Sequence, residues 1–143
     1  MIEFMKLHPE AKIPQRESEG AAGFDLKYTG EGIRAITLKP GERFLFQTGV
    51  ACAIPENWCG QIWPRSGWAV KDGRDKMAGM IDPDYRGEVC ALLINHGQRS
   101  VTIEPGERIA QMVVVPYMAE SKEVTELSET IRGKGGFGST GAA

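Results

Sequence analysis

Ile36-Thr37-Leu38-Lys39-Pro40-Gly41-Glu42-Arg43 and, further along, Val101-Thr102-Ile103-Glu104-Pro105-Gly106-Glu107-Arg108 are one device written twice. In each copy a short run of β-formers meets Pro-Gly. Proline presets φ for the second position of a turn, and glycine supplies the positive φ demanded at the next. Each copy therefore reads strand, turn, strand. Two copies so far apart are too few for a solenoid, so they indicate one turn solution used twice in an all-β domain. Around them, residues 44–46, 50–54, 60–63, 88–94 and 109–115 are short strand candidates separated by turns containing Pro, Gly or Asn. Upstream, Ile2 and Phe4 start an alternating strand that breaks at His8-Pro9, and the polar segment 12–20 reads as a loop. Next, Phe24, Leu26 and Tyr28 share one face of a strand, with Asp25 on the other. This spacing predicts a sandwich, jelly roll or barrel.

One brief helix interrupts the strands. Ser66 is expected to cap it, residues 67–71 to form it, and Gly73 to end it in a left-handed conformation. Pro64 and Arg65 stand just before it. A guanidinium, a hydroxyl and exposed amides at a helix start suit phosphate oxygens, although an ordinary capped turn has the same composition. A second unusual stretch is Gly79-Met80-Ile81-Asp82-Pro83-Asp84-Tyr85-Arg86-Gly87-Glu88. Asp-Pro-Asp is strong turn chemistry with apolar residues on both sides, so it reads as a β-hairpin carrying a carboxylate, a phenol and a guanidinium at its tip. By itself it is also the composition of a solvated acidic turn. After Tyr117 the chain is polar through Glu129. It then ends in a glycine-rich segment that holds Arg132, Lys134, Phe137, Ser139 and Thr140. The spacing Gly133 to Gly138 is not a P-loop, because serine stands where its lysine belongs and no strand precedes it.

The 143 residues, 41% of them hydrophobic, suffice for one domain with a usable core. The expected division is a β domain over 1–128 and a flexible tail over 129–143. With 17 basic against 19 acidic residues the net charge is −2, which gives no field for stable capture of nucleic acid or an anionic membrane. An anionic ligand must be held by a local cluster. No run approaches the ~18 apolar residues of a membrane span, and the N-terminus lacks a secretory pattern, so a cytoplasmic compartment is expected. Cys52, Cys59 and Cys90 lack paired spacing and read as buried free thiols. His8 and His96 alone give little support to a Ser-His-Asp triad or a histidine metal centre. What remains is Asp25 and Asp82 with basic and hydroxyl ligands, the set a magnesium-assisted phosphate enzyme needs.

Assembled in order, these segments closely resemble the trimeric dUTP pyrophosphatase (dUTPase) family. The resemblance is carried by Ala22-Gly23-Phe24-Asp25-Leu26, Pro64-Arg65-Ser66-Gly67-Trp68-Ala69, residues 79–88, Glu107-Arg108-Ile109-Ala110-Gln111 and residues 132–141. It implies a distorted jelly-roll or β-barrel subunit, a homotrimer with shared active sites, and Mg²⁺-dependent hydrolysis of dUTP to dUMP and pyrophosphate. By the same resemblance Asp82 activates water, and Tyr85 packs on the deoxyribose to exclude a 2′-hydroxyl. Backbone at Gly79 and Cys90 reads uracil, while Arg65, Ser66, Gly67 and Gln111 contact phosphates. Asp25 holds magnesium through water. From the tail, Arg132, Gly138, Ser139 and Thr140 bind the outer phosphates and Phe137 stacks on the base.

Three positions depart from the family pattern: Trp68 for a usual leucine, Lys76 where many bacterial members carry asparagine, and the extra charge of Lys134. A dCTP deaminase shares the expected fold and is the nearest alternative; a non-catalytic nucleotide sensor is another. Asp82-Pro83-Asp84-Tyr85 and the Phe137 tail favour dUTPase over the first. The presence of both Asp25 and Asp82 favours it over the second.

Overall fold

The structure, a computed structural model, describes residues 1–30, 32 and 34–136. Along the chain come β1 (Glu3–Lys6), β2 (Phe24–Lys27), β3 (Ile36–Leu38), β4 (Arg43–Ala53), β5 (Trp58–Trp63), α1 (Ser66–Asp72), β6 (Arg74–Lys76), β7 (Met80–Ile81), β8 (Glu88–Asn95), β9 (Val101–Ile103) and β10 (Arg108–Pro116). They form two four-stranded sheets, ordered β1-β4-β8-β6 and β2-β10-β5-β7, and a two-stranded ribbon of β3 and β9. This is the expected all-β architecture with a single short helix among the described residues.

The repeated octapeptide pairs with itself. In the ribbon Thr37 lies opposite Thr102, their hydroxyls 2.8 Å apart, and Ile36 and Leu38 face Ile103 and Val101. Both turns close identically. Glu42 N–H donates to Lys39 O at 3.0 Å and Glu107 N–H to Glu104 O at 3.1 Å. In each turn the carboxylate of the last residue, Glu42 or Glu107, accepts from the N–H of the first, Lys39 or Glu104, at 2.8 and 3.0 Å. Gly41 and Gly106 take φ of 81° and 86°, as the Pro-Gly order requires.

Residues 44–46 and 50–54 are not two strands but parts of one, β4. Gly49, at φ 68°, kinks the strand without ending it, and the register against β8 slips between Gln47 and Ala51. The Glu88 carboxylate fills this bulge, accepting Gly49 N–H at 2.6 Å.

The stretch 79–88 is not a hairpin. β7 pairs with β5, Gly60 opposite Ile81, whereas β8 pairs with β4 and β6. Residues 82–87 therefore cross from one sheet to the other. Period-two alternation fixes which face a strand buries but not which neighbour it bonds, and positive φ at Ala78 and Gly79 (58° and 118°) redirects the chain before β7.

Between the sheets, Leu26, Phe46, Ile62, Leu93, Ile103, Ile109 and Met112 are fully buried. Each such side chain contributes roughly 1.5–3 kcal/mol relative to exposure. Tyr28 and Phe44 meet Phe46 edge to face at 5.0 and 4.9 Å. Among the described residues three buried ones are polar or charged, Asp25, Thr48 and Asn95. Asn95 Nδ2 donates to Leu38 O and Arg99 O at 2.9 and 2.8 Å, and its Oδ1 accepts Gly97 N–H at 2.9 Å, tying the ribbon to β8. Asn95→Ala strands these backbone groups and is expected to cost about 2–4 kcal/mol in urea unfolding at fixed protein concentration. A loss under about 0.5 kcal/mol would mean that the ribbon is held by its apolar contacts alone.

Candidate active site

Ser66 does not cap α1. The extended backbone that an N-cap needs falls on Arg65 (φ −79°, ψ 131°), with no side-chain cap, so Ser66 is already helical. Gly73 does end the helix, at φ 67° and ψ 25°. No residue of α1 is buried, and seven residues are too few to persist by propensity alone. The helix is held from both ends. At the front, Gln111 Nε2 donates to Pro64 O at 3.3 Å, and Arg65 approaches Asp25 at 3.8 Å. At the back, the Arg74 guanidinium lies 3.7 Å above the Trp68 ring and pairs with Asp72 at 2.6 Å. Stacking on the indole offsets the burial of Arg74 Nε and Nη1, which lack hydrogen-bond partners among the described residues. Trp68 in place of leucine thus serves as the platform for Arg74.

Asp25, on β2, lies opposite Gln111 on β10. It is only 9% exposed, and Arg108 approaches it at 3.5 Å while also pairing with Glu17 at 2.8 Å. Gly23, Asp25, Arg65, Ser66, Gly67 and Gln111 line one pocket of about 530 Å³. Five residues expected at phosphate and metal therefore converge. Among the described residues there is no cluster of three or more His, Cys, Asp or Glu suited to a metal ion. The pocket's other carboxylates, Glu17 and Asp72, are paired with Arg108 and Arg74, so Asp25 beside the guanidinium and hydroxyl fits magnesium that arrives on its substrate and keeps its waters, and does not fit a dedicated protein cage.

A second pocket, about 340 Å³, lies where the two sheets meet. Leu45, Cys90 and Leu92 wall it from one sheet and Ile62, Met80 and Ile81 from the other, with Gly79, Asp82 and Tyr85 at its edge. The Asp82-Pro83 turn closes through Tyr85 N–H to Asp82 O at 3.2 Å. The Arg86 guanidinium is spent within this loop, donating to Pro83 O at 2.6 Å and Tyr85 O at 2.9 Å. Tyr85 Oη donates to Glu88 O at 3.0 Å. Burial, with the Glu88 carboxylate adding to it, pushes the Cys90 thiol up to about 11; burial also raises Cys52, against a smaller opposing effect of Arg86. The three thiols are free, Cys52 and Cys59 buried and Cys90 half-buried. Glu88 was not singled out from sequence, since an acidic residue opening a strand carries no signal that it fills a bulge on the neighbouring one.

The two pockets share no lining residue. Asp82 is exposed, and Arg132, also exposed, lines neither pocket; its Nε donates to Gly135 O at 3.1 Å. Phe137, Gly138, Ser139 and Thr140 fall outside the described residues. Lys76 places its ammonium 5.4 Å from the Trp63 ring and does not line the second pocket.

Residues 9–141 match the family model described as dUTPase. A deoxyuridine 5′-triphosphate nucleotidohydrolase of Rhizobium etli (strain CIAT 652) is 50% identical over 133 residues, which cover 91% of this chain and 85% of that protein. The dUTPase of Staphylococcus bacteriophage 80alpha, in its structure with dUpNHpp, superposes with a TM-score of 0.89 at 30% identity, covering 99% of this chain and 98% of that one. A mutant dUTPase of phage phi11 of S. aureus, whose structure is described as revealing coordination of a structural Mg(II) ion, gives a TM-score of 0.79 at 25% identity over 88% of this chain and 97% of that one.

Proposed function

The chain belongs to the dUTPase family and hydrolyses dUTP to dUMP and pyrophosphate; we propose that it does so as a homotrimer whose reaction centres are each assembled from pockets on neighbouring chains. The deaminase reading is thereby set aside. The observation that supports this assembly is that the two pockets on one chain have no lining residue in common. Each alone is incomplete.

In this reading the inter-sheet pocket takes deoxyuridine. Backbone groups at Gly79 and Cys90 read the uracil edge, where a base with the wrong donors leaves buried groups unpaired. Tyr85 fills the space a 2′-hydroxyl would occupy. Arg65, Ser66, Gly67 and Gln111 of a neighbour hold the triphosphate, with Arg65 giving charge-assisted bonds to its oxygens. Asp82 accepts a proton from water as that oxygen bonds to the α-phosphorus, the bond to the bridging oxygen breaks, and pyrophosphate leaves. Asp25 would hold Mg²⁺ through water, and the ion would supply charge neutralisation on the phosphate oxygens. The segment 129–143 closes over the site, bringing Arg132, Gly138, Ser139 and Thr140 to the outer phosphates and Phe137 to the base. Asp82 is exposed in the single chain, so the water-poor setting its role needs comes from this closure and from the neighbouring chain.

Mixed trimers test the assembly. Asp82→Asn and Arg65→Ala chains, each inactive alone, are refolded together in equal amounts. About a quarter of the inter-chain sites then receive one intact contribution from each side, and pyrophosphate release returns to roughly that fraction of wild type. Sites contained within one chain would stay dead in every mixture.

A further inference from the structure

We propose that Gly87 is a specificity-determining position, because its missing side chain is the bed on which the Tyr85 ring lies. A Cβ built on Gly87 would overlap Tyr85 Oη and come within 2.5 Å of Cζ and 2.9 Å of Cε2. Real carbon contacts do not tolerate such distances. The backbone gives no other reason for glycine, since Gly87 is not among the residues with positive φ. The three atoms nearest to such a Cβ all belong to the Tyr85 ring and its hydroxyl.

The far end of the ring is fixed by the bond from Tyr85 Oη to Glu88 O. Glu88 is itself anchored, its carboxylate filling the β4 bulge through Gly49 N–H. The ring thus lies over its own loop, pinned at the hydroxyl to a residue held by the neighbouring strand. Tyr85 remains 44% exposed. A methyl group at position 87 therefore displaces the ring into open space and leaves the core untouched. The loop's dependence on glycine is a dependence on ring pose, and ring pose decides whether a 2′-hydroxyl fits.

The inference rests on Tyr85 being the wall against the sugar, so the experiment carries its own control. The ratio of kcat/KM for dUTP over UTP is measured for wild type, Gly87→Ala, Tyr85→Ala and the double variant, with thermal unfolding of each. Gly87→Ala is expected to lower the ratio about tenfold, the scale of a one-methylene change in fit, with little change in melting temperature. In the Tyr85→Ala background the same alanine is expected to change neither ratio nor melting temperature. If Tyr85→Ala lowers the ratio and Gly87→Ala does not, the role of Gly87 is overturned while the sugar wall stands. If alanine at 87 is as damaging without the ring as with it, the glycine is needed for something else. An unchanged ratio in Tyr85→Ala removes the sugar wall, and this proposal with it.

Discussion

Asp82→Asn is expected to bind dUTP nearly as well as wild type and to turn it over about 10²–10⁴-fold more slowly, the range for loss of a positioned general base. Asparagine keeps the shape and hydrogen-bonding reach of the carboxylate but cannot take a proton from water. The fold has little stake in the change. Residue 82 is exposed, its role in the turn is played by its backbone carbonyl, and asparagine is favoured at the first turn position. Calorimetric titration with dUpNHpp and single-turnover hydrolysis of dUTP separate the two effects. Near-normal turnover would strip Asp82 of its assigned part. A large loss of affinity together with turnover would mean that the carboxylate mainly positions substrate.

Deletion of residues 132–143 is expected to lower hydrolysis by at least about a hundredfold while the remaining chain folds and assembles as before. Among the described residues, none of the buried hydrophobic side chains lies beyond Met112, and β10 ends at Pro116. The bonds around Arg132 are local: Gly133 N–H and Gly135 N–H donate to Thr130 O and Arg132 O, both at 3.0 Å. Among the described residues of the segment, 132–136, none belongs to the buried core. Sedimentation and far-UV circular dichroism report assembly and folding, and pyrophosphate release reports activity. Dissociation on truncation would recast the segment as part of the subunit interface.

The sequence was legible wherever chemistry is local. Pro40-Gly41 and Pro105-Gly106 dictate their turns whatever surrounds them, and Gly73 terminates α1 because a left-handed residue ends a helix anywhere. Asp25, Arg65, Ser66, Gly67 and Gln111 were singled out for another reason, their match to family motifs, and these five do converge on one pocket. Partnering was not legible. The Asp82 turn was expected to join two paired strands, yet β7 and β8 sit in different sheets, because alternation is blind to the identity of the neighbour. β6, Arg74-Asp75-Lys76, shows no hydrophobic period, and its pairing with β8 is a tertiary outcome. The Ser66 cap missed by one residue, since Arg65 already supplies the extended backbone. The stack of Arg74 on Trp68 joins residues on two elements, and nothing in either residue type announced it.

The pocket at the seam of the two sheets has a consequence for endurance. Its walls belong to both layers, so an occupant bridges them like a dowel between planks, and prising the layers apart must first expel it. A nucleotide seated there, as proposed above, would shield the chain by mass action, more strongly the further its concentration exceeds its dissociation constant. Cells rich in substrate would keep this protein longer-lived than starved ones, with no additional contact built into the polypeptide.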